Sequence, residues 1–358
     1  MRDVDWSRLE HAYGPAVDTP RHLAALLGHD RDAVEKALEH LDVAVLHQGV
    51  AYSATAPVVL VVAGYLDELA VEPAVRDSLL EFLGWVAEAT VDIEHGQHGQ
   101  HGRGLLPNLH KALVTTYQSV YAYVDAENAD LRTTATAAAV SYARCTPLSE
   151  ERPVLGALLR QRIAAGEKRA WYVAKLVALG APVADYLDDP EFDVQVTAAL
   201  APGLADHPNA TEILIRGLTH AAGTGTLPVL PANDPLQEYA NSFIDPDPWR
   251  GYSLTELIAA STRRVRDFER IAEPAAQLVR TASWTGADRT WGPLVRAAFH
   301  PGYRTGAPLT VSQRLVLGAL LDNPELWAPN DGNAALVFRQ AGLPRDRDRC
   351  TQILNTTH

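Results

Sequence analysis

The stretch "ADYLDDPEFDVQVTAALA", residues 184–201, decides the fold class of this chain. It contains the turn-forming pair Asp189–Pro190, and proline is tolerated in the first turn of a helix but not in its interior. The apolar residues that follow lie at helical spacing and fall on one face: Phe192, Val196, Ala199 and Leu200. This pattern predicts an amphipathic helix that buries its apolar face against a neighbouring element.

The same pattern recurs in residues 28–41, 70–83 and 126–139. Each stretch starts with polar, turn-forming residues and continues with an apolar residue that is followed four positions later by leucine or alanine. The four pairs are Val34/Leu38, Val75/Leu79, Leu131/Ala135 and Val194/Ala198. Recurrence at roughly 40 to 60 residues is typical of helix pairs stacked side by side. We find no convincing strand alternation, so the predicted class is all-α.

At these residues the sequence resembles the HEAT-repeat family. The residues that carry the resemblance are Leu187, Asp189–Pro190, Asp193, Val194 and Ala198–Ala199. Gln195 stands where the family usually has arginine or lysine, and Arg76 and Arg132 fit that position better. The resemblance covers residues 20–220 and is degenerate in most units. It implies an α-solenoid of antiparallel helix pairs, and HEAT arrays are mostly binding scaffolds, although a fold alone does not determine a function.

The stretch from residue 221 to residue 253 is rich in proline, glycine, asparagine and aspartate and interrupts the helical pattern. Long loops of this kind in a compact chain are usually functional or mobile. We therefore expect an N-terminal HEAT-like array in residues 1–222, a loop in residues 223–252 and a C-terminal helical region in residues 253–358.

The acidic residues are concentrated at one end of the chain. Residues 1–100 contain 17 Asp and Glu against 6 Lys and Arg, whereas the other 258 residues contain 27 against 25. Such a region repels nucleic acid and favours a basic protein or a cationic ligand. A solvated acidic surface without a partner is the more common explanation of such a bias.

The cysteines and the apolar segments indicate the compartment. Cys145 and Cys350 are far apart and form no metal-binding pair, and the first residues contain acids and no apolar run. The most apolar stretch, residues 55–66, is shorter than the roughly 20 residues that a membrane-spanning helix needs. We expect a cytoplasmic protein with no membrane partner.

The segment "IEHGQHGQHGRG", residues 93–104, contains three histidines at intervals of three: His95, His98 and His101. Because its glycines disfavour a helix, we expect a loop here, with a helix starting near Leu105. In an extended chain the outer imidazoles would lie further apart than one zinc ion can bridge. A solvated loop is therefore the preferred interpretation, no metal site is expected, and these histidines are weak candidates, with Asp92 or Glu94 as a further ligand.

The same segment also has features of an anion site. The backbone amides of Gly102 and Gly104, the cation Arg103 and the start of the expected helix, with Pro107 in its first turn, would all favour a negative charge. No phosphate-loop motif accompanies them.

Aromatic and basic residues give further candidates for partner binding. One group is a stripe of His110, Tyr117 and Tyr121, and tyrosine often lines binding grooves although packing against a neighbouring helix is more common. The others are Trp171 with Tyr172, and Trp249 with Arg250 in the long loop.

Trp284, Asp288 and Trp291 suggest another class of protein, because some HEAT-like proteins are DNA glycosylases for alkylated bases. A base-flipping site needs an aromatic clamp and a carboxylate. The negative net charge opposes phosphate binding, and the two tryptophans, seven residues apart, also suit the core face of one helix.

These observations predict a non-enzymatic scaffold that needs no cofactor and binds a protein partner, for instance a basic nuclease-type toxin that it neutralises in an immunity-type role. The first alternative is a HEAT-like enzyme, or a small-ligand or metal-binding protein that uses residues 95–110. The second alternative is a HEAT-like DNA glycosylase.

Overall fold

The computed structural model describes residues 4–68, 71–97, 99–224, 253–284, 287–327 and 332–356. These residues form sixteen α-helices, several short 3-10 turns and one small β-hairpin. The chain is therefore mostly helical, as the periodicity predicts. It divides into two compact units, Met1–Gln161 and Arg162–His358, which are described separately below.

The first unit begins with the hairpin, in which β1 (Glu10–His11) pairs with β2 (Gly14–Pro15). Six helices and most of a seventh follow: α1 (Thr19–Ala25), α2 (Arg31–His40), α3 (Thr55–Tyr65), α4 (Pro73–Glu94), α5 (Gly99–Tyr121), α6 (Ala129–Arg144) and α7 (Arg152–Ala164). The starts of α2 and α6 are fixed by side-chain caps, since Asp30 and Asn128 each accept two backbone N–H bonds.

Alternate helices pack together in the first unit. Helix α3 lies against α5, and α4 lies against α6, while α3 also contacts α4 and α5 contacts α6. The buried face of α6 consists of small side chains, and Ala135, Ala138 and Ala139 are fully buried. Small residues at such positions let two helix backbones approach closely, which agrees with the Ala-rich composition.

The second unit contains nine further helices: α8 (Arg169–Ala178), α9 (Phe192–Ala199), α10 (Pro208–Thr224), α11 (Leu254–Arg264), α12 (Ala272–Arg280), α13 (Trp291–Ala298), α14 (Val311–Asp322), α15 (Gly332–Gln340) and α16 (Arg347–Asn355). Here too, packing links alternate helices. One row is α10, α12, α14 and α16, and a second row is α11, α13 and α15.

A recurring hydrogen bond joins helices to the connections that precede them. Arg76, Arg132 and Gln195 are each the fourth residue of their helix, in α4, α6 and α9. Arg76 Nε donates to the Leu66 carbonyl at 2.7 Å, Arg132 Nη1 to the Ala126 carbonyl at 2.7 Å, and Gln195 Nε2 to the Asp189 carbonyl at 2.6 Å. The position singled out by the sequence resemblance thus has the same role in three helices.

Two features of the fold differ from expectation or go beyond it. The hairpin β1–β2 was not predicted, because two residues per strand are too few to show alternation. The two compact units divide within α7, and the boundary expected at residues 223–252 stays a prediction. Residues 225–252 lie outside the described part of the chain, and Gly223 and Thr224 belong to α10.

Among the helices described, none combines the length and the apolar character needed to cross a membrane.

Candidate functional site

Three ligand-type side chains meet at the start of the first unit. His11 ends β1, Asp18 precedes the first residue of α1, and His40 is the last residue of α2. One possible ligand atom from each residue lies within 4.8 Å of the other two. We call these three residues the His–Asp cluster. It is the one group of three or more His, Cys, Asp or Glu side chains of this kind within the described residues.

The hairpin places His11 because it is bound to later parts of the same unit. The Glu10 amide donates to Ser53 Oγ at 2.8 Å, the Ala12 amide donates to the Ala44 carbonyl at 3.0 Å, and the Ala54 amide donates to the Glu10 carbonyl at 3.0 Å. Gly14 allows the tight turn, since its φ of 116° is in the region that favours glycine. These bonds bring residue 11 beside α1 and α2.

The hydrogen bonds of His11 define its tautomer. The Tyr13 backbone N–H donates to His11 Nδ1 at 3.1 Å, so Nδ1 carries the lone pair. The proton therefore lies on Nε2, which donates to Asp18 Oδ1 at 3.0 Å. The His11 side chain is buried, whereas the Asp18 side chain is 44% exposed, so the cluster is open to solvent on the carboxylate side.

The imidazole of His40 is held by three neighbours. Its Nε2 lies 3.0 Å from Oγ1 of the fully buried Thr19. The His22 ring stacks on it at 4.2 Å with an interplanar angle of 7°, and the His11 ring lies edge-on at 5.4 Å. The orientation of the His40 ring is therefore fixed by both a hydrogen bond and packing.

The environment shifts the charges of the cluster. Burial, followed by the nearby His22, lowers the pKa of His40 from 6.5 to about 4. Burial and then the neighbouring Arg21 lower the pKa of His22. Burial acts to raise the pKa of Asp18, but the bond from His11, a backbone hydrogen bond and the nearby imidazoles outweigh it and lower that pKa. At neutral pH the site thus combines the carboxylate of Asp18 with a neutral imidazole at His40.

The glycine- and histidine-rich segment is arranged differently from the prediction. Helix α4 ends at Glu94 and α5 begins at Gly99, so the expected helix start near Leu105 is wrong. The glycine cost of about 1 kcal/mol per residue does not prevent the helix, and α5 packs on α3 and α4 mainly through its later residues, from Leu109 onward. Gly104 and Pro107 therefore lie inside a helix, and the loop is shorter than expected.

Within the described residues, the histidines of that segment belong to no group of three or more ligand-type side chains. His95 follows the end of α4 and His101 lies on α5, and both are exposed, as is Arg103. His98 lies outside the described residues. Asp92 accepts a hydrogen bond from Gln97 at 3.4 Å. Because Gly102 and Gly104 lie within α5, their amides do not form the loop that the anion-site interpretation requires.

His110 and the tyrosines that follow it on α5 are mainly structural. His110 Nε2 lies 2.7 Å from Glu94 Oε1, and Glu94 also accepts the Thr146 N–H at 2.9 Å. Tyr117 is only 2% exposed, and its ring lies 5.7 Å from that of the half-buried Tyr121. Of the two interpretations that the sequence allows for this tyrosine stripe, a binding groove or packing against a neighbouring helix, the burial of Tyr117 agrees with packing.

The aromatic pair of α8 is also packed. Tyr172 is 2% exposed, and the half-buried Trp171 ring lies edge-on to it at 5.0 Å. The Nζ atom of the buried Lys175 lies 4.7 Å from the Trp171 ring centre, a cation–π distance. The other aromatic–basic candidate, Trp249 with Arg250, lies outside the described residues.

The three residues that suggested a DNA glycosylase, Trp284, Asp288 and Trp291, differ in their exposure to solvent. Trp284 is 50% exposed, whereas Trp291 is 1% exposed and starts α13. The expectation that both tryptophans share the core face of one helix is therefore wrong. The Asp288 carboxylate is exposed and lies 4.0 Å from the guanidinium of Arg289.

Sequence reasoning missed the His–Asp cluster because its members are distributed over thirty residues and three elements. One signal was available: five of the chain's 13 histidines occur within the first 47 residues, at His11, His22, His29, His40 and His47. Histidine is intermediate in its preference for burial, so a dense group on short elements indicates possible convergence.

Comparisons with protein families, with characterised proteins and with solved structures each returned no match for this chain.

Proposed function

We propose that this chain is a non-enzymatic helical scaffold, an α-solenoid of HEAT-like helix pairs, that binds a basic protein partner. The packing of alternate helices within each unit supports the repeat interpretation, because stacked helix pairs place equivalent helices next to each other. The bonds from Arg76, Arg132 and Gln195 support it further, since they give three helices the same connection to the preceding chain.

The observation that carries the binding role is an exposed aromatic surface near the start of the chain. Tyr13, in the hairpin turn, is 66% exposed, and its ring lies 5.7 Å from that of His47. His47 Nδ1 lies 2.8 Å from the carbonyl oxygen of Val43, whose side chain is 36% exposed. We call Tyr13, Val43 and His47 the Tyr13 surface. Exposed tyrosines of this kind often carry much of the binding energy at protein interfaces.

Charge indicates the kind of partner. The exposed carboxylates of Glu10 and Asp42 flank the Tyr13 surface in sequence, and residues 1–100 contain 17 acidic against 6 basic residues. An apolar centre with an acidic surround complements a basic protein, because opposite charges accelerate association and exclude acidic competitors. A basic nuclease-type toxin that the scaffold neutralises is the partner class that we propose to test first.

The described residues give less support to the two alternatives. Burial raises the pKa of the Cys145 thiol, and burial raises that of Cys350 to about 11, so neither resembles an activated nucleophile. In the described part of the 95–110 segment, His95 and His101 are exposed, whereas His110 is half-buried beside Glu94. Of the proposed aromatic clamp, Trp291 is buried in the core.

Affinity capture from a lysate of the source organism, followed by reconstitution with the purified partner, tests this proposal. We expect a partner of basic isoelectric point whose affinity falls at about 0.5 M salt, where charges are screened within a few ångströms. Tyr13→Ala should weaken binding about tenfold or more. Val311→Ala, which truncates a 72% exposed valine on α14, is the matched control and should bind as wild type does.

The proposal is wrong if nothing basic is captured, or if the reconstituted complex is unaffected by both salt and Tyr13→Ala.

A further inference from the structure

We propose that His11, Asp18 and His40 form a binding site for a divalent transition-metal ion of the zinc type. Two imidazoles and a carboxylate are donors that zinc, cobalt(II) and nickel(II) accept in proteins. The three donors come from separate elements, β1, the residue before α1 and the end of α2, so only the folded unit brings them together.

The spacing of the donors fits an ion after a small closure. A tetrahedral zinc ion with ligands at about 2.1 Å holds its donor atoms roughly 3.4 Å apart. His11 Nε2 and Asp18 Oδ1 are already 3.0 Å apart, and all three donor atoms lie within 4.8 Å of one another. Closing the widest pair requires an approach of up to about 1.4 Å, which small movements shared between the two side chains can supply.

Neighbouring side chains hold the His40 imidazole in a fixed orientation, as is typical of metal ligands. The buried Thr19 hydroxyl contacts His40 Nε2 at 3.0 Å, and the stacked His22 ring limits rotation of the His40 ring. With His40 Nε2 engaged by Thr19, the nitrogen left for the ion is Nδ1, and loss of an outer-shell partner such as Thr19 typically costs 10- to 100-fold in metal affinity. The 44% exposed side chain of Asp18 provides a path from solvent to the site.

Binding requires a proton movement at His11. The nitrogen that faces Asp18 is Nε2, which carries the proton as long as Nδ1 accepts the Tyr13 N–H. A metal ion at Nε2 replaces that proton, which moves to Nδ1 by exchange with water, so the imidazole stays neutral. Nδ1–H can no longer accept a hydrogen bond, and the Tyr13 amide must be released. Metal binding therefore changes the turn that contains Tyr13.

The test uses the full chain, prepared without a histidine tag and freed of metal by a chelator. We expect calorimetric titration with Zn²⁺ to show about one ion per chain, with a Kd in the micromolar range or tighter. His40→Ala and Asp18→Asn should each raise the Kd about tenfold or more, and Thr19→Val should raise it about 10- to 100-fold. The double variant His95→Ala/His101→Ala removes two exposed histidines and is the matched control.

Two measurements keep the test decisive. Circular dichroism of each variant confirms that it is folded, and Asp18→Asn alters an exposed carboxylate with little change of shape. Amide NMR should show the Tyr13 signal moving at a lower Zn²⁺ concentration in wild type than in Asp18→Asn. The proposal is overturned if folded wild type binds no Zn²⁺, if Asp18→Asn binds as tightly as wild type, or if the control variant loses the ion.

Discussion

Two histidine-rich regions of the first unit, residues 11–47 and residues 95–101, have opposite arrangements. The second has the regular spacing in sequence, yet its described histidines, His95 and His101, lie at separate exposed positions. The first has no regular spacing, yet it brings His11 and His40 into one cluster with Asp18. Regular spacing of histidines in the sequence is therefore a weaker predictor of a shared ligand site than the packing of elements that are distant in sequence.

The difference has a simple physical origin. A ligand set requires side chains to approach within a few ångströms, and three residues separated by short turns do so only if the turns fold them back. The hairpin and helices α1 and α2 make such turns around residues 10–40, whereas α5 holds its glycines and histidine in a continuous helix. Residues three or four apart share a face only when they lie in the same helix. His95 follows the end of α4 and His101 lies on α5, so the two histidines are not in one helix.

The largest expected contrast is in stability. His11→Ala removes the acceptor of the Tyr13 amide and the donor to Asp18 at a buried position, so we expect the free energy of unfolding to fall by about 1–3 kcal/mol. His101→Ala, at an exposed position, should change it by less than about 0.5 kcal/mol. Urea denaturation of both metal-free variants measures the contrast, and equal effects would contradict it.

The pH dependence of stability tests the charge state of the cluster. The pKa of His40 is lowered to about 4 in the folded chain from its ordinary value of 6.5, so between these values the unfolded chain binds the extra proton. The free energy of unfolding should therefore have its full value above about pH 6.5 and decrease as the pH falls towards 4. Urea denaturation with a chelator present, for wild type and His40→Gln, measures the slope. An unchanged slope in His40→Gln would show that His40 does not cause it.

Two glycines test the corrected start of α5. Gly104 lies inside the helix with open space around it, so Gly104→Ala should stabilise the chain by about 0.5–1 kcal/mol. Gly96 has a φ of 89°, a conformation that a side chain disfavours, so Gly96→Ala should destabilise by about 1 kcal/mol. Thermal melting compares the two, and destabilisation by Gly104→Ala would mean that the segment is not helical.

The smallest expected effect concerns the tyrosines of the α5–α6 contact. Within the described residues, the buried hydroxyl of Tyr117 has no hydrogen-bond partner, so Tyr117→Phe should be neutral or stabilise by less than about 1 kcal/mol. Tyr142 lies 3.2 Å from Thr116 Oγ1, so Tyr142→Phe should cost about 0.5–1.5 kcal/mol. Chemical denaturation of the pair measures both, and a larger loss for Tyr117→Phe would reverse their order.

The helical class was predictable because it depends on local periodicity. In residues 184–201 the predicted apolar face is largely buried, with Val196, Ala199 and Leu200 in the core and Phe192 half-buried. The start of α5 was not predictable, because the low helix propensity of its glycines does not prevent the helix, which packs on α3 and α4. Propensity is a property of one segment, whereas the helix is stabilised by its neighbours.

The candidate site was harder to predict than the fold. His11, Asp18 and His40 have no motif spacing, and their approach depends on a hairpin of two residues per strand. The histidines of the glycine-rich segment are regularly spaced, which made them candidate ligands. Regular spacing does not supply the chain turns that bring ligands to one metal ion. Within the first 47 residues, only the density of histidines pointed to the cluster.

The hydrogen bonds from Arg76, Arg132 and Gln195 have a consequence for how such a chain can change in length. Each bond joins residues that are six to ten positions apart, so each of these three helices is tied to the chain just before it and not to a distant segment. An insertion or deletion outside these three stretches would therefore leave all three connections unchanged.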